Sequence, residues 1–558
     1  MSHSVCLSRR AAGIALLLLC AVLYLPGLTT IPPIDRDEAY FAQATRQMLE
    51  TGDYVRPRFQ DQNRYRKPIG IYWLQAASVA ALGQRGRRVI WPYRIPSVVG
   101  AALAVLMTWA IGETLCDAET ALLAGAILAS SMLLTVEALM AKTDAMLLAC
   151  IVAAQWSLAL LYVRYPTAPA PARYAAVFFF TQGLGILIKG PVAPLVSFLT
   201  IAGLALMERF DPASTGGSMI RKLIRDLRLS WGIPLVLLIL APWTIAVGVS
   251  TNWSFFSEAA ARDIGPKIVT GVESHGGWPG YYFVTALVTF WPASIVAGLA
   301  VWHTISHPKT PAARFILAWL VPTWLFFEFL PTKLPHYVMP AFPPLALATA
   351  RFAVATEPTA APWRWIRLQG LLWLSATVVL GSALIAAPLF LGGRESTVGL
   401  IASMVAFASG WVAFRACRRG DPRGGLWCAV AGAAVLIFVL RSWMIPGLEA
   451  LWLPSRAAAA VAPTSDPAPV AVVGYDEPSM VFLIGTDTQL TNPASAAQLL
   501  KDRPGAVALV NDRQLRDFES AMRSKAVVAV PIWSGSGIDY TKGRAVSMTA
   551  FKLSPALR

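Results

Sequence analysis

One segment near the N-terminus combines carboxylates with a cluster of cations. Asp35 and Asp37 come first, and Arg58 and Lys67 follow before the next long apolar run begins. A carboxylate can orient a substrate or accept its proton, and fixed cations stabilise negative charge on a group such as phosphate. Either acid could instead only cap a helix, because negative charge is favourable at a helix N-terminus. The pattern favours a site for a phosphate-bearing substrate.

Two helices are expected to position these side chains. Over residues 38–49 the apolar residues recur at helical spacing, and Gly52 is a typical helix stop. A second helix is predicted to begin at Lys67-Pro68 and to lie on a membrane surface, because apolar and aromatic residues follow. The segment 31–92 therefore carries acids, cations and amphipathic interfacial helices together.

The rest of the chain up to residue 444 has the composition of a membrane protein. Of its 558 residues, 56% are hydrophobic and only 14% are charged. A transmembrane helix needs roughly 20 apolar residues, and about 13 runs approach or exceed that length. These runs are 11–34, 95–112, 120–136, 145–163, 174–188, 190–207, 229–257, 276–308, 315–327, 334–350, 368–393, 397–414 and 424–440. The first could be a signal peptide, but no small-residue cleavage pattern follows it, so we expect it to be the first span.

Basic residues at the ends of these runs predict the orientation. Short loops rich in Lys and Arg stay in the cytoplasm. Arg9 and Arg10 precede the first run, and further basic clusters follow the even-numbered runs, within 164–173, 209–228, 309–314, 364–367 and 415–423. We therefore expect a multi-pass protein of a bacterial inner membrane with a cytoplasmic N-terminus, and with segment 31–92 and the C-terminal segment in the periplasm.

Segment 31–92 departs from this charge rule. It is expected outside, yet it has ten basic and six acidic residues, a net charge of +4. Long loops are exported whatever their charge, which is one explanation. The other is that a cationic outer surface attracts an anionic partner such as a lipid phosphate.

Residues 445–558 are predicted to form a small soluble α/β domain. Strands are expected at 470–473, 480–484, 506–510 and 526–531, and helices at 494–501 and 512–522. The glycines of this segment form no nucleotide-binding fingerprint and are better explained as turns. The six cysteines lie outside the exported parts, so no disulfide framework is expected there.

Several blocks of sequence resemble a known enzyme family. They are Asp37-Glu38-Ala39, Met48–Val55 with Pro57, Tyr65-x-Lys67-Pro68-x-x-x-Tyr72-Trp73, Leu187-Ile188-Lys189-Gly190-Pro191, Trp278-Pro279-Gly280-Tyr281-Tyr282 and Thr332–Val338 with Pro340. Together they resemble the polyprenyl-phosphate-sugar glycosyltransferases of the GT-C fold. They are most similar to the bacterial 4-amino-4-deoxy-L-arabinose lipid A transferases, relatives of the protein O-mannosyltransferases. Arg66 is a departure, since that branch more often has an acid before the lysine; a metal- or amine-binding role for that acid is therefore in doubt here.

The resemblance implies an activity and a donor. Such an enzyme would move 4-amino-4-deoxy-L-arabinose from undecaprenyl phosphate to a lipid A phosphate with inversion at the anomeric carbon, which confers resistance to polymyxin and other cationic peptides. By resemblance, Asp37 would be the catalytic carboxylate. It would act as a base, orient the acceptor or pair with the sugar ammonium. Asp144 is a second candidate, unless it only pairs with Lys142.

The remaining candidate site residues are cations, aromatics and histidines. Lys67 is the leading phosphate ligand, because a fixed cation near the leaving oxygen lowers the barrier. The supporting cations are Arg58, Lys189, Arg262 and Lys333, which could alternatively bind lipid head groups. Tyr72, Tyr282 and Tyr337 are candidates for holding sugar or phosphate, although aromatics are common at membrane interfaces in any case. His275 and His336 are weak candidates for a metal ion.

No cofactor is expected to be required, and a divalent metal would be adventitious or structural. The expected partners are the polyprenyl phosphate donor, lipid A and membrane lipids, with no nucleic acid and a monomeric protein. One alternative is a related glycosyltransferase with a hydroxyl acceptor on a protein or glycan. The other is a lipid transporter or flippase, which would carry broken helices and charges at mid-membrane.

Overall fold

Long apolar helices dominate the computed structural model, which describes residues 8–164, 169–210, 218–259, 261, 277–355, 363–392, 396–462 and 469–554. The helices of the first half are α1 Arg9–Tyr24, α2 Asp37–Thr51, α3 Gly70–Ala80, α4 Gly83–Gly86, α5 Trp91–Leu115, α6 Ala118–Ser130, α7 Met132–Ala138, α8 Asp144–Val163, α9 Ala172–Lys189, α10 Val192–Arg209, α11 Ser218–Leu227, α12 Leu229–Ser250 and α13 Ser254–Ala259. Those that follow are α14 Tyr281–Thr289, α15 Ser294–Ser306, α16 Pro311–Phe329, α17 Phe342–Val354, α18 Trp363–Phe390, α19 Ser396–Arg418, α20 Pro422–Val439, α21 Ile445–Gly447, α22 Leu453–Val461, α23 Pro478–Ile484, α24 Pro493–Asp502 and α25 Leu515–Ser524. A 3₁₀-helix at Pro335–Ala341 precedes α17.

A multi-pass membrane bundle is confirmed. Within the described ranges, eight helices are long and apolar enough to cross a membrane, or nine if the bent pair α6 and α7 is one span. Each of the predicted apolar runs overlaps a helix or a helix pair, but some of these helices are short, so the total of about 13 spans stays a prediction. Bulky side chains such as Leu238 and Phe390 are 70% and 82% exposed on the bundle. Such exposure suits helices that face lipid.

The segment between α1 and α5 folds as two helices joined by a hairpin, followed by the short helix α4. The predicted first helix is confirmed as α2, which Gly52 ends with a left-handed φ of 74°. The predicted second helix is confirmed as α3, which begins three residues after Lys67, and its position on a membrane surface stays a prediction. Between them, β1 (Arg58–Phe59) pairs antiparallel with β2 (Gln62–Asn63). We call residues 31–92 the first loop.

The C-terminal segment contains a mixed sheet flanked by helices. Its strands are β3 Val470–Val473, β4 Gln489–Thr491, β5 Val507–Asn511, β6 Ala529–Asp539 and β7 Arg544–Leu553. They are ordered β4-β3-β5-β7-β6, with β3 parallel to β4 and β5, and β7 antiparallel to β5 and β6. Most sequence predictions for this segment agree, including the strand at 470–473 and the helix at 494–501.

One predicted element is wrong. Residues 480–484 were expected to form a strand, but they belong to α23. A short apolar run has no periodicity that separates a buried strand from a buried helix. Here Pro478 opens the helix, and α23 packs its apolar side chains inward, with Phe482 only 1% exposed.

Helix α23 joins the C-terminal segment to the first loop. Arg46 on α2 donates from Nη1 to the carbonyl oxygen of Phe482 at 2.8 Å. The Phe482 ring packs edge-on against Tyr93, with ring centroids 5.4 Å apart. Ser479 donates from both its backbone N–H and its hydroxyl to the Asp35 carboxylate, at 2.9 Å each. The division at residue 444 stays a prediction, and residues beyond it pack directly onto the first loop.

Candidate active site

A buried cluster of charges lies where α7, α8 and α9 meet at one end of the bundle. The Nζ atom of Lys189, the last residue of α9, lies 2.5 Å from Oδ1 of Asp144, the first residue of α8. The Nζ atom of Lys142 lies 2.9 Å from Oε1 of Glu137 and 3.7 Å from Oδ2 of Asp144. Both carboxylates are therefore neutralised by lysines, because an unpaired buried charge is costly.

The environment of Lys142 keeps it protonated. Burial by itself would lower its pKa, but the carboxylates of Glu137 and Asp144 outweigh this effect and raise the pKa of Lys142. Asp37 contributes in the same direction. The first-loop acid therefore contributes to the electrostatic environment of the helix-end cluster.

The 3₁₀-helix before α17 adds an imidazole and an aromatic ring. His336 has Nδ1 3.9 Å from Oε1 of Glu137 and Nε2 3.9 Å from Oδ1 of Asp144. The Nζ atom of Lys189 lies 5.5 Å from the centroid of the Tyr337 ring. Lys67 is close enough to interact electrostatically with His336. The structure thus brings six predicted residues together. They are Asp37, Lys67, Asp144, Lys189, His336 and Tyr337, and with Glu137 and Lys142 we call them the charge cluster.

Glu38 and Arg94 fix the start of α2 beside this cluster. Both side chains are fully buried, with Nη2 of Arg94 2.8 Å from Oε2 of Glu38. Glu38 also accepts the backbone N–H of Ala141 at 2.8 Å, next to Lys142. Asp37, one residue earlier, is exposed. Sequence reasoning missed this anchor. A signal was present, since an arginine close to a long apolar run needs a buried partner.

Close helix packing places Lys67 near the end of α9. A Cβ atom added at Gly70 would lie 2.8 Å from the carbonyl oxygen of Leu187. Only glycine allows α3 to approach the backbone of α9 so closely. Because Lys67 lies three residues before Gly70 and Lys189 two residues after Leu187, this contact brings the two lysines to the same region.

Two first-loop residues that were predicted to bind substrate, Tyr72 and Arg58, are not part of the charge cluster. Tyr72 is fully buried, and its hydroxyl accepts a hydrogen bond from Nη1 of Arg64 at 2.8 Å. Its role as a sugar or phosphate ligand stays a prediction, and its burial also gives it a packing role in the loop core. Arg58 is half-buried in the hairpin, and its Nε atom has no hydrogen-bond partner among the described residues.

Lys333 and Tyr282 belong to a second arrangement around Glu328. The Nζ atom of Lys333 lies 2.6 Å from the carbonyl oxygen and 3.2 Å from Oε1 of Glu328. The hydroxyl of Tyr282 donates to the carbonyl oxygen of Leu334 at 3.1 Å. These contacts tie the segment around Gly280 to the end of α16, so both residues hold the protein backbone. Arg262 and His275 lie outside the described residues.

The geometry gives little support to a metal site. Within the described part of the chain, no group of three or more His, Cys, Asp and Glu side chains could hold a metal ion. Beside His336, Glu137 and Asp144 are already paired with lysines. The described cysteines, Cys20, Cys116, Cys150, Cys417 and Cys428, are all free thiols.

Comparisons with known proteins agree with the motifs. Residues 66–216 match the profile of the dolichyl-phosphate-mannose-protein mannosyltransferase family. The undecaprenyl phosphate-alpha-4-amino-4-deoxy-L-arabinose arabinosyl transferase of Pectobacterium carotovorum subsp. carotovorum is 27% identical, over 77% of this chain and 75% of that protein. The protein of the same name from Pectobacterium atrosepticum is 28% identical, with the same coverage of both chains.

The fold also matches solved structures. ArnT from Cupriavidus metallidurans bound to undecaprenyl phosphate superposes with a TM-score of 0.74 over 97% of this chain and 98% of that one, at 17% identity. Its apo form gives a TM-score of 0.71 over 96% and 97% of the two chains, also at 17% identity. At this identity the match establishes the fold. The GT-C fold and the resemblance to these glycosyltransferases are confirmed.

Proposed function

We propose that this chain, a glycosyltransferase of the GT-C fold, moves 4-amino-4-deoxy-L-arabinose from undecaprenyl phosphate to a phosphate group of lipid A. The observation that carries the proposal is the convergence of Lys67, Lys142 and Lys189 with Asp37 at one end of the bundle. Three lysines, two of them held by the buried carboxylates of Glu137 and Asp144, beside the exposed acid Asp37 suit a reaction that separates a sugar from a phosphate. The name and length of the two arabinosyl transferase relatives support the choice of sugar and donor.

The reaction exchanges one sugar–phosphate bond for another. The bond from the anomeric carbon to the undecaprenyl phosphate oxygen breaks, and its electron pair stays on the leaving phosphate. A lipid A phosphate oxygen attacks the opposite face of the same carbon, which inverts its configuration. Atoms and charge balance without a net proton transfer, because the acceptor phosphate has a second pKa of about 6 and is largely ionised at neutral pH.

The lysines stabilise the leaving group. Negative charge grows on the departing phosphate, and preorganised cations in a poorly solvated site stabilise it where it develops. Lys67 is the direct phosphate ligand in this scheme. Asp144 and Glu137 hold Lys189 and Lys142 in position, since both carboxylates are ion-paired with them.

Asp37 has an orienting role when the acceptor is a phosphate. An ionised phosphate needs no general base, so the carboxylate can instead pair with the sugar ammonium or position the acceptor. The reaction would occur on the periplasmic face of the inner membrane, in a monomeric protein without a required cofactor. The product carries additional positive charge, which weakens binding of polymyxin and other cationic peptides to the cell surface.

The direct test is mass spectrometry of lipid A from cells with and without the protein. We expect a mass increase of one aminopentose on lipid A only when the intact protein is present. The Asp517→Asn variant serves as the matched control, because it removes one carboxylate charge at an exposed position outside the charge cluster and should leave the mass increase unchanged. An identical, unmodified lipid A pattern in both strains would overturn the assignment.

A hydroxyl acceptor is the second candidate, and the family match over residues 66–216 favours it. That profile describes a protein mannosyltransferase, whose hydroxyl acceptor must lose a proton during transfer. In that case Asp37 acts as the base, and Asp37→Asn should lose nearly all transfer. Transfer rates of the wild type and of Asp37→Asn, measured with lipid A and with a hydroxyl acceptor, separate the two roles.

A further inference from the structure

A polar cavity in the first loop shares none of its lining residues with the charge cluster. It has a volume of about 430 Å³, and it lies between α2, the hairpin β1–β2, α13 and strand β4 of the C-terminal segment. Tyr40 in its wall lies one helical turn after Asp37, and Arg66 directly precedes Lys67. The cavity is therefore next to the reacting groups along the chain, yet is a separate space.

The lining of this cavity suits a phosphorylated sugar. Gln62 and Asn63 are exposed amides that can both donate to and accept from sugar hydroxyls. Tyr40 and Phe59 pack edge to face with centroids 4.7 Å apart, which provides an aromatic wall. Arg66 adds an exposed guanidinium, the side chain best shaped to bind phosphate, and the carboxylates of Asp61 and Glu258 in the same lining can accept hydrogen bonds from sugar hydroxyls. Cavities of roughly 300–1,000 Å³ are typical for small-molecule ligands.

The hairpin that forms one wall is held rigidly. Gln47 on α2 and Gln60 exchange two hydrogen bonds, one at 2.9 Å to the Gln60 N–H and one at 2.7 Å to its carbonyl oxygen. The Gln60 side chain also donates to the carbonyl oxygens of Thr486 and Thr488 in the C-terminal segment. A wall fixed from two sides loses little entropy when a ligand binds.

The donor and the acceptor differ in their head groups, and the lining of the cavity suits that of the acceptor. The donor presents one sugar on one phosphate, for which the charge cluster provides the cations, and its tail is apolar. The acceptor is a glycolipid whose head group is itself a phosphorylated sugar. Resting on the proposed function, we propose that this cavity is the subsite for the phosphorylated sugar head group of the glycolipid acceptor, with Gln62, Asn63 and Arg66 as its ligands.

Steady-state kinetics with the purified full-length protein tests this assignment. Undecaprenyl phosphate-aminoarabinose is held at saturation while lipid A is varied, and the reverse series varies the donor. We expect Arg66→Ala to raise the KM for lipid A about tenfold or more, because a charge-assisted hydrogen bond contributes about 1.5–3 kcal/mol. Gln62→Ala and Asn63→Ala should each raise it by a smaller factor. The KM for the donor should stay within about twofold for all three.

Matched controls are available in the same loop. Gln84 and Arg85 are exposed residues of the same types in α4, outside the cavity. Gln84→Ala and Arg85→Ala should leave both KM values unchanged. A rise in the donor KM alone, or unchanged KM values in all three cavity variants, would overturn the subsite while leaving the proposed function intact. A wild-type protein that transfers no sugar to lipid A would overturn both.

Discussion

At the scale of single residues, two lysines from similar motifs have opposite surroundings. Lys67 is a half-exposed member of the charge cluster, whereas Lys333 is 6% exposed and paired with Glu328. We expect Lys67→Ala to lower kcat by about a hundredfold or more at an unchanged Tm, because one electrostatic contact to the transition state is lost. Activity on lipid A and thermal unfolding in detergent would be measured together.

Lys333→Met should lower the Tm, in contrast to Lys67→Ala, which should lower kcat at an unchanged Tm. Removing this ammonium leaves the Glu328 carboxylate buried without its partner, and breaking such a pair costs about 3–5 kcal/mol of stability. The Tm should therefore fall clearly. Arg88→Ala, at an exposed site of the first loop, is the neutral reference for both variants. A Lys67→Ala protein with wild-type transfer would remove Lys67 from the site.

Asp35 should make the contact between the first loop and the C-terminal segment sensitive to pH. Burial raises the pKa of Asp35 to about 7, against the lowering effect of the Ser479 hydrogen bonds and with the aid of Glu477 and Asp539. A carboxyl group whose pKa is raised on folding binds its proton more tightly in the folded state. The contribution of Asp35 to the free energy of unfolding is therefore complete below about pH 4. It is lost as the pH rises to about 7, by at most about 1.4 kcal/mol per pH unit.

Comparison of wild type with Asp35→Asn isolates this effect. The neutral amide cannot titrate, so between about pH 5 and 7 the Tm of the wild type should fall relative to that of the variant. Thermal unfolding across a pH series measures the difference. Parallel pH curves for the two proteins would exclude Asp35 as the titrating group.

The sequence identified several of the residues that meet in the charge cluster, and their catalytic roles stay predictions. Lys189 and His336 could be identified from the family-like motifs, and Asp144 from its place next to a predicted span. The separation of Lys333 from the cluster could not, because its pairing with Glu328 depends on how the chain turns between α16 and the 3₁₀-helix. Distances across elements are not encoded in local spacing.

At the scale of elements, the approach of α3 to α9 sets the position of Lys67. In Gly70→Ala the new methyl group would lie 2.8 Å from the Leu187 carbonyl oxygen and 2.9 Å from its carbonyl carbon, so a helix must move. Overpacking of this kind costs about 1–3 kcal/mol. We expect transfer to fall at least tenfold, since small displacements from the reactive geometry cost rate strongly.

Gly447→Ala is the matched control for this substitution. An added Cβ at Gly447 meets nothing within 4 Å, so its Tm and activity should equal those of the wild type. If Gly70→Ala also behaved like wild type, the close α3–α9 contact would not control the position of Lys67. The lowered Tm and the lowered transfer rate are expected together.

Elements with strong periodicity were predictable, and short ones were not. Helix α2 was expected from its apolar spacing and its glycine stop, both of which are local properties. Helix α23 was mistaken for a strand because its five apolar residues are too few to define a period. Its helical form depends on tertiary contacts of Phe482 with Tyr93 and α2, which local sequence does not reveal.

At the scale of the whole molecule, the membrane bundle was predictable because hydropathy needs no knowledge of packing. The docking of the C-terminal segment onto the first loop was not. It depends on single contacts more than 400 residues apart in the chain, such as Ser479 with Asp35. A consequence is that the C-terminal segment supports the loop that carries Asp37 and Lys67.

The distribution of basic residues predicts the orientation of the whole molecule. Helix α11 and its flanks carry Arg221, Lys222, Arg225 and Arg228, which should hold them in the cytoplasm. Single cysteines at exposed sites can test this, namely Arg225→Cys on α11 and Glu519→Cys on α25. In intact spheroplasts, a membrane-impermeant maleimide should label Glu519→Cys, and it should label Arg225→Cys only after lysis. The wild type, whose described cysteines are buried or half-buried, gives the background. If Arg225→Cys were labelled before lysis, the predicted orientation would be wrong. The charge cluster would then lie on the cytoplasmic face, where lipid A phosphates of the periplasmic leaflet could not reach it.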